Sequence, residues 1–127
     1  MTAPLPEQME RVTGIGGVFL RGRDSDALRA WYVANLGISV EEWGGVVFQA
    51  ESGDATVWSI FAGDTGYWPQ AQQVMVNYRV RDLDAMLAQL RAAGAEVDEK
   101  IEELEFGRFG WAVDPDGNRF ELWQPAS

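Results

Sequence analysis

The chain carries the stretch Arg-Gly-Arg-Asp-Ser-Asp-Ala at residues 21–27, and residues 79–85 repeat it as Arg-Val-Arg-Asp-Leu-Asp-Ala. In both copies an apolar segment precedes the motif, a helical pattern of apolar residues follows it, and a glycine closes that pattern. A long unit that occurs only twice is not typical of a solenoid, in which short repeats stack many times. The duplication instead indicates two copies of one supersecondary unit that face each other, with a site expected between them.

Each copy is predicted to contain one helix. In the first copy Asp24 or Ser25 can cap the helix, and Gly37 can end it in a left-handed conformation. In the second copy Asp82 takes the cap position and Gly94 the end position. The shared Asp is therefore expected to begin a helix in both halves.

Strand candidates surround both helices, because apolar, β-branched and aromatic residues alternate or cluster between turn residues. They are residues 14–20, 38–43, 46–50 and 56–61 in the first half, and 74–80, 96–100, 108–113 and 119–124 in the second. The chain is thus predicted to be a single domain over residues 1–127. A first βαβββ module spans about 12–62, a connecting loop spans 63–73, and a second βαβββ module spans 74–126.

The composition restricts the class of function. The 127 residues include 20 acidic and 10 basic side chains, and this net charge of −10 argues against nucleic-acid binding, which needs a basic surface. The chain has no Cys and no His, which excludes disulfides and removes the commonest general base and metal ligand. The first residues lack the apolar core of a signal peptide, and no run is long enough to span a membrane. We therefore expect a soluble cytoplasmic protein.

The closing hairpin carries a resemblance to a known family. Residues 114–123 are Asp-Pro-Asp-Gly-Asn-Arg-Phe-Glu-Leu-Trp, in which Asp, Pro and Gly occupy the positions that a type I turn favours. Together with the two βαβββ halves, this motif resembles the vicinal oxygen chelate superfamily, which includes glyoxalase I, bleomycin-resistance proteins and extradiol dioxygenases. The resemblance implies an α+β fold in which two βαβββ modules in tandem form curved mixed sheets around a cavity.

The same resemblance locates the positions where metal-using members carry their ligands. They fall at Gly17 and Met75 in the first strands, at about Trp58, and at Glu121 in the closing hairpin. Only Glu121 is a ligand type suited to the divalent metals of this family, and a catalytic metal usually needs three protein ligands. We therefore expect no metal and no cofactor. The alternative is that ligands have migrated, for example to Asn77 or Gln49.

A ligand-binding site is predicted in the cavity. Phe19, Trp58, Met75 and Glu121 are expected to point into it, so that aromatic and apolar side chains surround one carboxylate. The full set predicted to bind a ligand is Phe19, Trp58, Met75, Asn77, Arg79, Glu121 and Trp123. Two alternatives stay open: the aromatic side chains fill the former site as core, and Glu121 is neutralised by Arg79 or Arg21.

The connecting loop contains Tyr67-Trp68-Pro69, which is expected to form a lid or a dimer contact, or to lie against the sheet. The sequence favours a metal-free protein that binds a small molecule, such as a cationic or aromatic compound, and forms a homodimer. The alternative is a glyoxalase-like lyase or dioxygenase that uses Glu121 with a metal, or Glu121 alone as a general base. A third possibility is an accessory domain that acts through a partner protein.

Overall fold

Two helices begin at the aspartates of the repeated motif. The computed structural model describes residue 15 and residues 17–127. Helix α1 spans Ser25–Leu36, and the carboxylate of Asp24 accepts a hydrogen bond from the Ala27 amide at 3.1 Å. Helix α2 spans Leu83–Ala92, and Asp82 accepts from the Ala85 amide at 3.0 Å. The duplicated Asp is therefore an N-cap in both copies, as predicted.

The two helices end differently. Gly37 follows α1 with φ of 68°, and its amide donates to the Tyr32 carbonyl. Helix α2 instead has Ala93 as its C-cap residue, with right-handed backbone, and the left-handed residue is Gly94, with φ of 82°. Both glycines adopt the conformation that the sequence predicted for them. Neither described helix is long and apolar enough to cross a membrane.

The second half of the chain forms a mixed sheet. Its strands are β1 (Asn77–Arg79), β2 (Glu96–Val97), β3 (Glu102–Leu104), β4 (Gly107–Val113) and β5 (Arg119–Pro125). The hydrogen-bonded order is β1-β5-β4-β2, and β3 also pairs with β4. Strand β1 runs parallel to β5, whereas the other pairs are antiparallel. This mixed sheet with its helices confirms the predicted α+β class.

The hairpin between β4 and β5 is held by one side chain. One carboxylate oxygen of Asp114 accepts hydrogen bonds from the amides of Asp116 and Asn118, both at 2.9 Å. Its other oxygen accepts from the hydroxyl of Tyr32 at 2.8 Å. Tyr32 belongs to α1, so this buried contact ties the helix of the first half to the closing turn of the second.

Both helices pack on the same face of the sheet. The buried core consists of Leu28, Tyr32, Leu36, Leu83, Leu87, Leu90, Ala112, Phe120 and Leu122. A Cβ at Gly110 of β4 would lie 3.2 Å from the side chain of Leu87, so the glycine lets α2 approach the strand closely. The two helices do not cover the opposite face of the sheet, and the candidate binding site lies on that face.

The first half differs from its prediction. Between residue 17 and Val76, the structure has helix α1 as its regular element and does not form the strands predicted at 38–43, 46–50 and 56–61. The strand predicted at 14–20 lies partly outside the described residues. A strand is stable only when a neighbour pairs with its backbone and covers its side chains. Here the apolar side chains lie largely in solvent, with Phe19 94% and Trp58 71% exposed.

The strands of the second half also differ in detail from the prediction. The strand predicted at 96–100 is shortened to β2, because Asp98 turns the chain after Val97, and the short strand β3 that follows at Glu102–Leu104 was not predicted. The Asp98 side chain accepts from the Lys100 amide at 3.0 Å, a local bond that replaces a ladder bond. The predicted strand at 74–80 is shorter and covers only Asn77–Arg79. The bounds of the two modules remain a prediction.

Candidate ligand-binding site

The face of the sheet away from the helices gathers four of the predicted site residues. In the parallel pairing of β1 with β5, Asn77 lies opposite Glu121, and Arg79 lies opposite Trp123. Side chains alternate along a strand, so residues two apart share a face, and opposite residues are neighbours. The structure therefore brings Asn77, Arg79, Glu121 and Trp123 together as predicted, although their binding of a ligand remains a prediction.

Strand β4 adds two aromatic side chains that the sequence analysis missed. Trp111 lies opposite Glu121, and Phe109 lies opposite Trp123. The Phe109 and Trp123 rings are stacked, with centroids 6.2 Å apart and planes at 4°. The alternation of Phe109, Trp111 and Val113 is the signal that could have placed these residues on the site face.

The carboxylate of Glu121 is buried and held by neutral donors. The residue is only 8% exposed to solvent. Oxygen Oε1 accepts from the Asn77 amide Nδ2 at 2.7 Å, and Oε2 accepts from the Trp111 indole Nε1 at 3.0 Å and from the Tyr67 hydroxyl. These three neutral N–H and O–H groups satisfy the acceptor oxygens of the buried carboxyl group.

Glu121 takes part in none of the ion pairs among residues 15 and 17–127, so the expected partner Arg79 is not its partner. The Arg79 guanidinium donates to the Ala55 carbonyl at 2.7 Å and lies 3.4 Å from the Asp54 carboxylate. The other candidate, Arg21, is exposed. The alternative in which Arg79 or Arg21 neutralises Glu121 is therefore wrong for this structure, because the side chains that donate to Glu121 are all uncharged.

Tyr67 brings the connecting loop onto this face. Its ring meets Trp111 edge-on, with centroids 5.8 Å apart and planes at 87°. Burial, followed by the hydrogen bond to Glu121, raises the pKa of the Tyr67 phenol above its ordinary value. Phe61 and Trp68 pack against the same ring, at 5.3 and 6.2 Å between centroids. Of the alternatives for this loop, the structure shows one that lies against the sheet and covers Glu121.

Two basic side chains lie over the indole ring of Trp111. The Arg119 guanidinium carbon is 5.6 Å from the ring centroid, and the Lys100 ammonium nitrogen is 5.9 Å from it. Arg119 also contacts Asp98 at 3.0 Å. The hydrogen bond from the Lys100 amide, with that from Arg119, holds the pKa of the Asp98 carboxyl below its usual value. The cation–π positions on this ring are thus taken by the chain's own residues.

A shallow cavity of about 310 Å³ opens at the other end of the face, where Arg79 and Trp123 lie. The remaining lining residues are Gly53, Asp54, Ala55, Phe106, Pro125 and Ala126. Two of the predicted binding residues therefore line open space, whereas Asn77 and Glu121 lie in the hydrogen-bonded network beside it.

Three predicted binding residues do not join this arrangement. Phe19 and Trp58 are exposed, and neither lines a described cavity with Glu121 as predicted. Met75 is half-buried and precedes β1 in the chain, so the strand does not fix its orientation. The strands that would have turned Phe19 and Trp58 inward are not formed, which is the physical reason for the difference.

The residues present do not fit the metal centre that the fold family implies. Gly17 offers no side chain, and Trp58 offers no ligand atom. The two residues considered as alternative metal ligands do not complete the centre either. Gln49 is exposed, and the Asn77 side chain directs its amide nitrogen, which is not a metal ligand, at Glu121. Across residues 15 and 17–127, no three Asp or Glu side chains cluster in a way that could hold a metal ion.

Comparison with known proteins agrees with this fold. A search of curated proteins found no match. Among solved structures, a glyoxylase/bleomycin resistance protein/dioxygenase domain from Frankia sp. EAN1pec superposes with a TM-score of 0.57 at 18% identity, covering 91% of this chain and 100% of the other. TnmS3, an antibiotic binding protein from Streptomyces sp. CB03234, gives 0.52 at 23% identity over 81% and 88%. TioX from Micromonospora sp. ML1 gives 0.50 at 20% identity over 81% and 91%.

A family model described as "Glyoxalase-like domain" matches residues 17–123, which includes both copies of the repeated motif and most of the closing hairpin. With the mixed sheet, the capped helices and the hairpin motif in place, the chain belongs to the glyoxalase-like domain family, within the vicinal oxygen chelate superfamily.

Proposed function

We propose that this chain binds a small aromatic molecule without a metal, on the sheet face that carries Glu121 and Trp111. The observation that carries the proposal is the coordination of Glu121 by three neutral donors, Asn77, Trp111 and Tyr67. The carboxylate occupies the position of a metal ligand in the family, but it acts here as a hydrogen-bond acceptor among aromatic rings.

The donors themselves disfavour a metal at this position. The Asn77 amide and the Trp111 indole direct N–H groups at the carboxylate oxygens. A divalent cation bound to those oxygens would meet the positive ends of both N–H dipoles. It would also lack the two further protein ligands that a catalytic site usually needs. A binding role that uses the carboxylate as an acceptor agrees better with this geometry.

The surroundings suit an aromatic compound. Flat apolar side chains with a few directed polar groups are typical of small-molecule sites. Here Trp123 and Arg79 line the open cavity, and the buried rings of Phe109 and Trp111 lie beside them with the acceptor Glu121. The antibiotic-binding description of TnmS3, which shares the fold, supports a binding protein of this general type.

We also propose that the chain forms a homodimer. The first half exposes a series of large apolar side chains, which are Phe19, Val47, Phe48, Val57, Trp58 and Ile60. Apolar surface of this extent is uncommon on a monomer and is typical of an interface. A second copy is the occupant we favour, because two copies would cover the same side chains reciprocally across a twofold axis. Light scattering after size exclusion should give twice the mass of 14.1 kDa.

The binding proposal is tested by fluorescence and metal analysis of the same preparation. We expect naphthalene derivatives, with and without an ammonium group, to quench Trp fluorescence, because Trp111 lies in the site. Trp111→Phe should weaken both the quenching and the affinity, whereas Trp43→Phe, which changes an exposed tryptophan, should leave the affinity unchanged.

Two results would contradict the proposal. One is stoichiometric nickel, zinc or iron in the purified protein that is lost in Glu121→Ala. The other is an absence of quenching by every aromatic compound tested.

A further inference from the structure

Tyr67 differs from the other two donors to Glu121 in where it comes from. Asn77 and Trp111 lie on strands that pair directly with β5, so the sheet fixes their positions. Tyr67 comes from the connecting segment and reaches Glu121 across 54 residues of sequence. Its backbone carbonyl accepts one bond, from the Arg119 side chain at 3.2 Å. The Gln72 side chain bonds the same segment to the Arg119 backbone of β5, so only a movement of the residues before Gln72 can withdraw Tyr67 without disturbing the sheet.

The Tyr67 side chain occupies a place formed by one hydrogen-bond acceptor and two aromatic rings. Its hydroxyl donates to a buried carboxylate, its ring meets Trp111 edge-on at 5.8 Å, and Phe61 covers it at 5.3 Å with planes inclined by 31°. These contacts describe a subsite for a flat ring that carries a hydroxyl group. In this structure the chain's own phenol fills it.

The charges near the subsite distinguish among aromatic ligands. Lys100 and Arg119 lie 5.9 and 5.6 Å from the Trp111 centroid, and each is paired with a carboxylate of the chain, Glu102 and Asp98 respectively, so the positions for a cation over this ring are already occupied. A neutral O–H donor does not need these positions and satisfies the acceptor that Tyr67 leaves. The contacts around the ring therefore favour a neutral hydroxyl compound over an ammonium compound.

We propose that the Tyr67 side chain stands in for the ligand, and that the site takes a neutral hydroxyaromatic compound that replaces the Tyr67 phenol on Glu121. This inference rests on the proposed function and specifies the class of molecule bound. The ligand hydroxyl donates to Glu121, its ring lies edge-on to Trp111, and the connecting loop moves away with Tyr67.

The test removes the Tyr67 side chain by mutation and adds p-cresol, which has the structure of that side chain, as a free ligand. Tyr67→Ala leaves a space that p-cresol matches, and we expect p-cresol to bind this variant at least tenfold more tightly than the native chain, measured by ligand-observed NMR titration. p-Methylanisole has the same ring but no O–H donor, and it should bind Tyr67→Ala about tenfold more weakly than p-cresol, since a hydrogen bond to a charged acceptor supports that difference. Tyr67→Phe separates the ring from its hydroxyl: the ring still fills the subsite but no longer bonds to Glu121, so p-cresol should bind this variant more tightly than the native chain, by up to about tenfold.

Equal binding of p-cresol and p-methylanisole to Tyr67→Ala would overturn the inference, as would tighter binding of 4-methylbenzylammonium. In either case the proposed function would survive, because aromatic compounds would still bind; only a complete lack of aromatic binding contradicts that function. Circular dichroism checks that the variant folds. If Tyr67→Ala does not fold, the same tenfold preference is expected on the native chain for 2-naphthol over 2-methoxynaphthalene, and equal binding of these two would overturn the inference.

Discussion

The two copies of the repeated motif begin their helices in the same way and continue differently. Asp24 and Asp82 both cap a helix through an amide three residues later. After α2, the chain returns through antiparallel strands and builds a sheet on which both helices rest. After α1, the chain between residues 38 and 61 leaves most of its large apolar side chains exposed. The N-cap is a local interaction and forms in both halves. A strand needs a neighbouring strand to pair with, and within the described residues only the second half provides such pairs.

The largest expected effect comes from the core that both halves share. Phe120 is buried between α1 and the sheet, with its ring 6.3 Å from Tyr32 and 5.5 Å from Tyr78. Phe120→Ala should lower the free energy of unfolding by about 3–5 kcal/mol, because it leaves a cavity in a packed core. The matched control is Trp43→Ala, which removes an exposed ring of the first half that is not among the side chains of the proposed dimer interface and should change stability by less than about 0.5 kcal/mol. Urea denaturation measures both, and a comparable loss in the two variants would show that the first half is packed after all.

A smaller effect is expected at the joint between the halves. Asp114→Ala removes the acceptor for Tyr32 and for the turn amides of Asp116 and Asn118, so stability should fall by about 2–3 kcal/mol. Tyr32→Phe removes one of these bonds and should cost about 1 kcal/mol. If the second variant lost as much as the first, the hydroxyl of Tyr32 rather than the turn would be the main support.

Alkaline pH should weaken the contacts between regions. Burial raises the pKa values of Tyr32, Tyr67 and Tyr78 above the ordinary value of 10.0. A phenol whose pKa is raised by folding contributes stability that is fully present below pH 10 and is lost as the pH rises above it. Each such tyrosine steepens the loss by up to about 1.4 kcal/mol per pH unit.

Replacing one tyrosine by phenylalanine measures how much that tyrosine contributes to the decline of the free energy of unfolding with pH. Tyr67→Phe should make the decline in stability between pH 10 and 11.5 shallower, by up to the same ~1.4 kcal/mol per unit, in urea titrations followed by circular dichroism. Arg or Lys titration affects both proteins alike and cancels in the comparison. An unchanged slope would mean that Tyr67 leaves Glu121 before it ionises.

The smallest effect tests the resemblance of the two copies directly. Asp24→Ala and Asp82→Ala each remove one capping bond, at 3.1 and 3.0 Å, and each should cost about 1 kcal/mol. Asp26→Ala is the control, because it changes an acidic residue of the first turn that caps nothing. A cost at Asp82 well above that at Asp24 would show that α2 supports the sheet more than α1 does.

Local rules predicted the elements that local interactions determine. The Asp caps, Gly37, the Asp114 turn and strands β4 and β5 all follow from residues close in sequence, and they appear within a residue or so of the predicted bounds. The alternation along β5 also placed Glu121 and Trp123 on one face. These features depend on side-chain spacing, which a sequence displays directly.

The remaining features depend on contacts that spacing does not show. Trp111 joins Glu121 through strand register, and Tyr67 reaches it from a loop whose path the sequence does not specify. The inward orientation predicted for Phe19 and Trp58 required strands with partners, and those strands are not formed. Prediction was therefore good where the determinant was within one element and poor where two distant segments had to meet.

The bond between Tyr32 and Asp114 has a consequence for the order of events during synthesis. The two residues are 82 positions apart, so α1 emerges from the ribosome long before its partner turn and before β5. The apolar stripe of α1 consequently stays uncovered until the residues around Asp114 have been made, and a nascent chain in that state is exposed to aggregation and to chaperones. A contact of such wide sequence separation also slows the search for the native state, because much of the chain must be brought together before the contact forms. The packing of α1 on the sheet thus follows synthesis of the hairpin between β4 and β5, and does not begin when the helix itself is made.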